Sequence, residues 1–155
     1  MAGGNEQKAA GGSGQAEPSG KVGSSAAEWQ SGGRGRLGRA WYAALGSGLT
    51  FSLLWRFARG AGAMTGLSLA TGIAVARAAE GLGAGAIELK WPNDVFYELR
   101  KVCGVLVEVP PRSTGRMVVG IGVNVNNVFA TAPSSLRDTA TSLREIAHRP
   151  FPLTD

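Results

Sequence analysis

The chain has 155 residues, a mass of 15.9 kDa and 16 Lys+Arg against 11 Asp+Glu, a formal charge of +5. With 44% hydrophobic and 17% charged residues the composition is globular, with length for one modest core and little room for a second domain. One cysteine, Cys103, and one histidine, His148, exclude a disulfide framework and a CxxC metal or redox site, and leave a Ser-His-Asp triad little to draw on.

In chain order, residues 1–23 come first, dominated by Gly, Ser, Ala, Gln and Glu, and read as a disordered low-complexity tail. Thirteen of the 24 glycines fall within the first 48 positions, seven in that tail, four in a loop at 31–39 and two at 46 and 48. Residues 28–30 are expected to end a short strand, and 49–57 (LTFSLLWRF) to form a full one. A helical period over 63–82 stops among Gly81, Gly83 and Gly85, as a helix C-terminus does. Strands follow at 87–91, 95–97, 102–109 and 117–125, joined by turns at 92–94, 98–100 and 110–115. Residues 126–138 read as loop, and Ser142-x-x-Glu145 is a capping box that opens a short helix bearing Leu143 and Ile146. The expected architecture is α+β, a mixed and mostly antiparallel sheet packed on helices. Residues 1–20 lack an apolar signal region, and the longest uncharged apolar stretch, 60–76, is shorter than the ~20 residues of a membrane span. A cytoplasmic protein without a membrane partner is the expectation.

Three motifs carry chemistry. Gly33-Arg34-Gly35-Arg36-Leu37-Gly38 matches G-x-G-x-x-G in form, but it leads towards a strand and no acidic residue lies between Glu28 and Glu80, so it is not a dinucleotide fingerprint. Its alternating guanidiniums and backbone N–H groups suit phosphate or carboxylate oxygens; a solvated basic loop is the alternative. Lys90-Trp91-Pro92-Asn93-Asp94 brings a cation, an amide and a carboxylate into one turn, or is an ordinary turn with a Lys–Asp pair. Lys101 opens the apolar strand KVCGVLVE, where it is either functional or a snorkelling edge lysine. Gly120 and Gly122 before Asn124 suggest a flat strand surface on which a planar group lies.

Taken in order, Glu28-x-Gln30, GRGRLGRAW (33–41), KWPND (90–94), KVCGVLVE (101–108) and GIGVNVN (120–126) resemble the catalytic domain of biotin protein ligases, over roughly residues 24–147. The resemblance implies the class II aminoacyl-tRNA synthetase-like fold shared with lipoate ligases. It implies Mg²⁺ and ATP-dependent activation of biotin to biotinyl-5′-AMP, then transfer to a lysine of the biotin carboxyl carrier domain of acetyl-CoA carboxylase or a related carboxylase. By matched motif, Lys101, Arg36 and Lys90 would be catalytic, and Gln30, Gly33, Arg34, Trp41, Lys101 and Gly104 would bind biotin. Arg36, Arg39, Trp41, Lys90, Asn93, Gly122 and Asn124 would bind ATP and the adenylate, with Asp94 the candidate Mg²⁺ ligand.

Against the family pattern, the upstream Ser-Thr-Asn segment is missing and Leu37 stands where many members carry arginine. Residues 24–155 are therefore expected to be a partial catalytic domain without its C-terminal SH3-like barrel. No helix-turn-helix precedes it, so DNA binding is not expected; a homodimer through a sheet edge is compatible with the resemblance. Two other readings stand beside the ligase: an inactive remnant that binds ligand or partner only, and a basic Arg-Gly nucleic-acid module, which would leave KWPND and GIGVNVN unexplained.

Overall fold

In the computed structural model the described residues are 19–42, 44–58, 66–113 and 115–153. Six strands form one sheet: β1 (Gly20–Ala27), β2 (Gly48–Arg56), β3 (Glu88–Lys90), β4 (Asp94–Tyr97), β5 (Arg100–Glu108) and β6 (Arg116–Asn124), in the order β1-β2-β6-β5-β4-β3. Every strand ladder is antiparallel. Helix α1 (Leu67–Gly81) packs on β3, β4 and β5; the short helices α2 (Ser134–Arg137) and α3 (Leu143–Ala147) follow the sheet.

Period-two alternation gives the sheet two different faces. Along β6, Met117, Val119, Ile121 and Val123 are buried, and their partners across the ladders include Cys103, Val105 and Val107 of β5 and Phe51 and Leu53 of β2. All of these but Met117 make the core with Ala76 and Ala79 of α1, whose small size lets the helix lie close to the strands. Burying each Val or Ile contributes about 1.5–3 kcal/mol. The opposite face carries Thr50 and Ser52 of β2, Gly120 and Gly122 of β6, and Gly104, Leu106 and Glu108 of β5, all in register with one another. Apart from Leu106 these are small or polar groups, and the face lies across the sheet from α1.

Three expectations change. Strand β1 starts at Gly20, inside the segment 1–23 expected to be a tail, and Glu28–Gln30 lie beyond its end. Its Gly, Ser and Ala residues give no hydrophobic signal, because an edge strand is held by backbone pairing with β2 rather than by side-chain burial. Helix α1 begins at Leu67, and residues 63–65 lie outside the described residues. The stretch 126–138 is not wholly loop: it contains a 3-10 turn at Phe129–Thr131 as well as α2, both too short to show a helical period. The tight turn after β4 is built as expected, with Tyr97 opposite Arg100 and left-handed φ of 45° at Glu98 and 66° at Leu99.

Candidate functional site

The Arg-Gly segment folds back on itself as a miniature hairpin. Gly35 N donates to Arg39 O at 2.7 Å and Trp41 N to Gly33 O at 2.9 Å, with Arg34 bridged to Ala40. Leu37 sits near the tip with φ 58° and is 89% exposed. This hairpin hangs over the small-residue face, and its last residue, Trp41, lays its indole on the strand glycines. A Cβ added at Gly122 would lie 2.7 Å from Trp41 Cε2, and one at Gly104 would lie 3.3 Å from Cζ3. The planar group expected on the glycine surface is therefore the protein's own tryptophan.

Three cations converge here, each with an acceptor. Lys101 Nζ stands 2.7 Å from Asp94 Oδ1, close as an ion pair but not aligned as a hydrogen bond, and 5.6 Å from the centre of the Trp41 ring. Arg36 donates to Asn93 Oδ1 at 3.2 Å, and Asn93 in turn donates to Val105 O at 2.9 Å. Arg34 donates to both carboxylate oxygens of Glu108, at 3.1 and 3.3 Å. The Lys–Asp pair suspected within KWPND is thus made by Lys101; Lys90 lies over the Phe96 ring at 4.7 Å.

Two adjoining cavities meet at this cluster. A cavity of about 250 Å³ lies over the sheet face, among Gln30, Arg34, Gly104, Glu108 and Gly122. A cavity of about 500 Å³ lies beyond the hairpin, among Arg39, Tyr42, Lys90, Trp91, Asp94 and Asn124, and reaches Phe129 and Leu136. Arg36, Trp41, Asn93 and Lys101 line both. Gln30, Arg34 and Gly104, expected together at biotin, fall on the smaller cavity, and Arg39, Lys90 and Asn124, expected at the nucleotide, on the larger. Gly122 differs: it belongs to the smaller cavity, beneath Trp41. Gly33 lines neither cavity; a Cβ there would meet Gln30 Oε1 at 2.8 Å and Trp41 O at 2.9 Å, so it lets the hairpin close.

Asn124 is 5% exposed, and its amide donates to Lys101 O at 3.3 Å and Thr141 O at 3.1 Å. It ties β5 to the segment that follows α2 as well as bordering the larger cavity. Asp94, the candidate Mg²⁺ ligand, faces the Lys101 ammonium, and the described residues contain no group of three acidic, His or Cys side chains that could hold a metal ion by themselves. Burial pushes the Cys103 thiol up to about 12, against the lowering effect of Lys101, so this sulfur is no nucleophile at neutral pH. Glu108, Phe129 and Leu136 were not singled out in the sequence. Glu108 stands in the quoted KVCGVLVE motif, but its partner lies 74 residues away, a pairing that local pattern cannot reveal. Among the described residues no helix is long and apolar enough to cross a membrane.

The Biotin/lipoate A/B protein ligase family model matches residues 15–126. The Bifunctional ligase/repressor BirA of Escherichia coli is 42% identical over 101 residues, 64% of this chain and 32% of that protein. The Biotin--[acetyl-CoA-carboxylase] ligase of Mycobacterium tuberculosis is 37% identical over 124 residues, 77% of this chain and 44% of that protein. The solved biotin protein ligase from Aquifex aeolicus in complex with biotin and ATP superposes with a TM-score of 0.72 at 37% identity, covering 83% of this chain and 53% of that one. That from Leishmania major in complex with biotinyl-5-AMP gives 0.64 at 27% identity, covering 81% and 54%. The chain spans about a third of the length of the first of these relatives.

Proposed function

Because this chain belongs to the biotin/lipoate A/B protein ligase family, we propose that its two adjoining cavities take biotin and ATP, join them as biotinyl-5′-AMP, and pass the biotinyl group to a lysine of a biotin carboxyl carrier domain. The observation that carries this reading is the shared wall. Lys101, Arg36, Asn93 and Trp41 border both cavities, so two ligands lying one in each would meet at two cations.

The reaction calls for that arrangement. A carboxylate oxygen of biotin attacks the α-phosphorus of ATP; the new P–O bond forms as the bond to pyrophosphate breaks. Both reactants are anionic and repel each other, and a preorganised ammonium and guanidinium offset that repulsion and hold the pair in line. Lys101 is fixed on β5 between Asp94 and Trp41, with its charge at the junction. Asn93, tied to Val105 O, presents its carbonyl oxygen to Arg36 and keeps that guanidinium on the wall shared by the two cavities. In the smaller cavity Gln30 offers an amide to the ureido group of biotin, and Arg34 a guanidinium to its carboxylate end. In the larger one Arg39 and Lys90 face the phosphates, and any magnesium arrives on the nucleotide. In the second step the carrier's lysine amine attacks the acyl carbon, AMP leaves and the amine proton is released. No protein nucleophile is needed.

Incubation of the chain with labelled biotin, ATP and a carrier domain tests the reading. Release of pyrophosphate together with a labelled carrier supports it. Adenylate formation without transfer reduces it to the first half-reaction, and neither product overturns it.

A further inference from the structure

The small-residue face has one carboxylate that the reaction above does not use. Glu108 ends β5 on the same face as Gly104, lines the smaller cavity, and accepts from Arg34 with both oxygens at 3.1 and 3.3 Å. Arg34 lines the same cavity. The two side chains keep 69% and 44% of their surface in contact with solvent, so the pair can part and re-form cheaply.

We propose that Glu108 is a positioning residue that stands in for the ligand's carboxylate: it holds Arg34 at the rim of the smaller cavity, and an entering anionic ligand takes the guanidinium from it. This rests on the assignment of that cavity to biotin. A guanidinium presents one bidentate fork in the direction of a given carboxylate, so Arg34 can serve Glu108 or the ligand in that geometry, not both. Exchange of one carboxylate for another keeps the arginine ordered in both states. Affinity for an anion is therefore reduced by whatever the Arg34–Glu108 pair contributes, whereas affinity for an uncharged ligand of the same shape is not. An exposed pair of this kind accounts for up to about a fivefold difference.

Calorimetric titration of the full chain with biotin and with its uncharged carboxamide separates these cases. The readout is the ratio of the two affinities within each variant, which a partly unfolded preparation leaves unchanged because both constants scale with the folded fraction. Glu108→Gln is expected to raise the preference for biotin over the amide by about three- to fivefold. In an Arg34→Gln background the same change is expected to do nothing. An unaltered ratio in Glu108→Gln overturns the proposal. So does a gain that persists without Arg34, since plain charge repulsion by Glu108 would then explain it. If the wild-type chain binds neither compound, the assignment of the cavity to biotin has failed instead, and the exchange falls with it.

Discussion

The two sides of the site are built differently. Lys101 and Asn93 belong to the sheet and its connecting turn: Lys101 lies within β5, its backbone bonded to Thr139 and Thr141, and Asn93 is bonded to Val105 through both its backbone and its side chain. Arg34 and Arg36 sit on a hairpin outside the sheet and reach their partners across 74 and 57 residues of sequence, through exposed side chains. Groups on strands are placed to within a fraction of an ångström by the same packing that makes the core, whereas loop-borne groups can move out to admit a ligand and return. A site that must hold two mutually repelling anions needs both: a fixed charge at the junction and loop-borne charges that can move aside to admit the ligands.

Removing the fixed charge should have the largest effect. Lys101→Ala is expected to lower adenylate formation by at least about 100-fold, measured as pyrophosphate release, the size of loss seen when a preorganised transition-state partner is removed. Normal release from that variant would end the distinction drawn above. Next comes the seat of the indole. Gly122→Val puts side-chain atoms where Trp41 lies, and overpacking should cost about 1–3 kcal/mol in chemical denaturation, with a shifted tryptophan emission. In a Trp41→Ala background the same substitution should be nearly neutral, and equal losses in both backgrounds would show that the ring is not the obstacle.

Asn93→Ala tests the joint between the two sides. It removes the bond to Val105 O and leaves Arg36 without its acceptor, an expected loss of about 1–2 kcal/mol in stability, with the Michaelis constant for ATP rising as the guanidinium loosens. The buried Cys103 supplies a pH test of the rigid side. Its thiol ionises near 9 when free and is pushed to about 12 in the fold. Above pH 9 the unfolded chain holds fewer protons than the folded one, so this group's contribution is complete below 9 and is lost as pH climbs towards 12. Denaturation midpoints should fall over that window for wild type and fall less for Cys103→Ala. Smallest of all, Arg34→Ala should change stability by under about 1 kcal/mol, because an exposed ion pair contributes little to the fold.

The same division explains what the sequence could reveal. The strands from 87 onward are legible because the alternation of Val, Ile and Met in β6 and the turn after Tyr97 are local patterns. Strand β1 is not, since Gly20–Ala27 has almost no apolar side chain and exists through its partner β2. Charged residues in KWPND and KVCGVLVE announce a site, but not that Asp94 pairs with Lys101 rather than with Lys90. Nor does GIGVNVN disclose that its glycine faces Trp41, 81 positions earlier (122 − 41). Contacts over such distances are decided by how the sheet is ordered, which no single segment encodes.

The segment between Asn126 and Thr141 is fastened at both ends. Asn126 N donates to Ser47 O at 2.6 Å and Phe129 N to Glu145 Oε1 at 2.8 Å, while Thr141 N donates to Lys101 O at 2.9 Å beneath the Asn124 amide. A span held this way has its closure already fixed by its ends, so doubling its length would add only about 0.6 kcal/mol of entropic cost. The rim of the larger cavity can therefore be lengthened or resculpted by insertion near α2 while the sheet beneath keeps its register, which makes it the natural place to graft a new selectivity onto this scaffold.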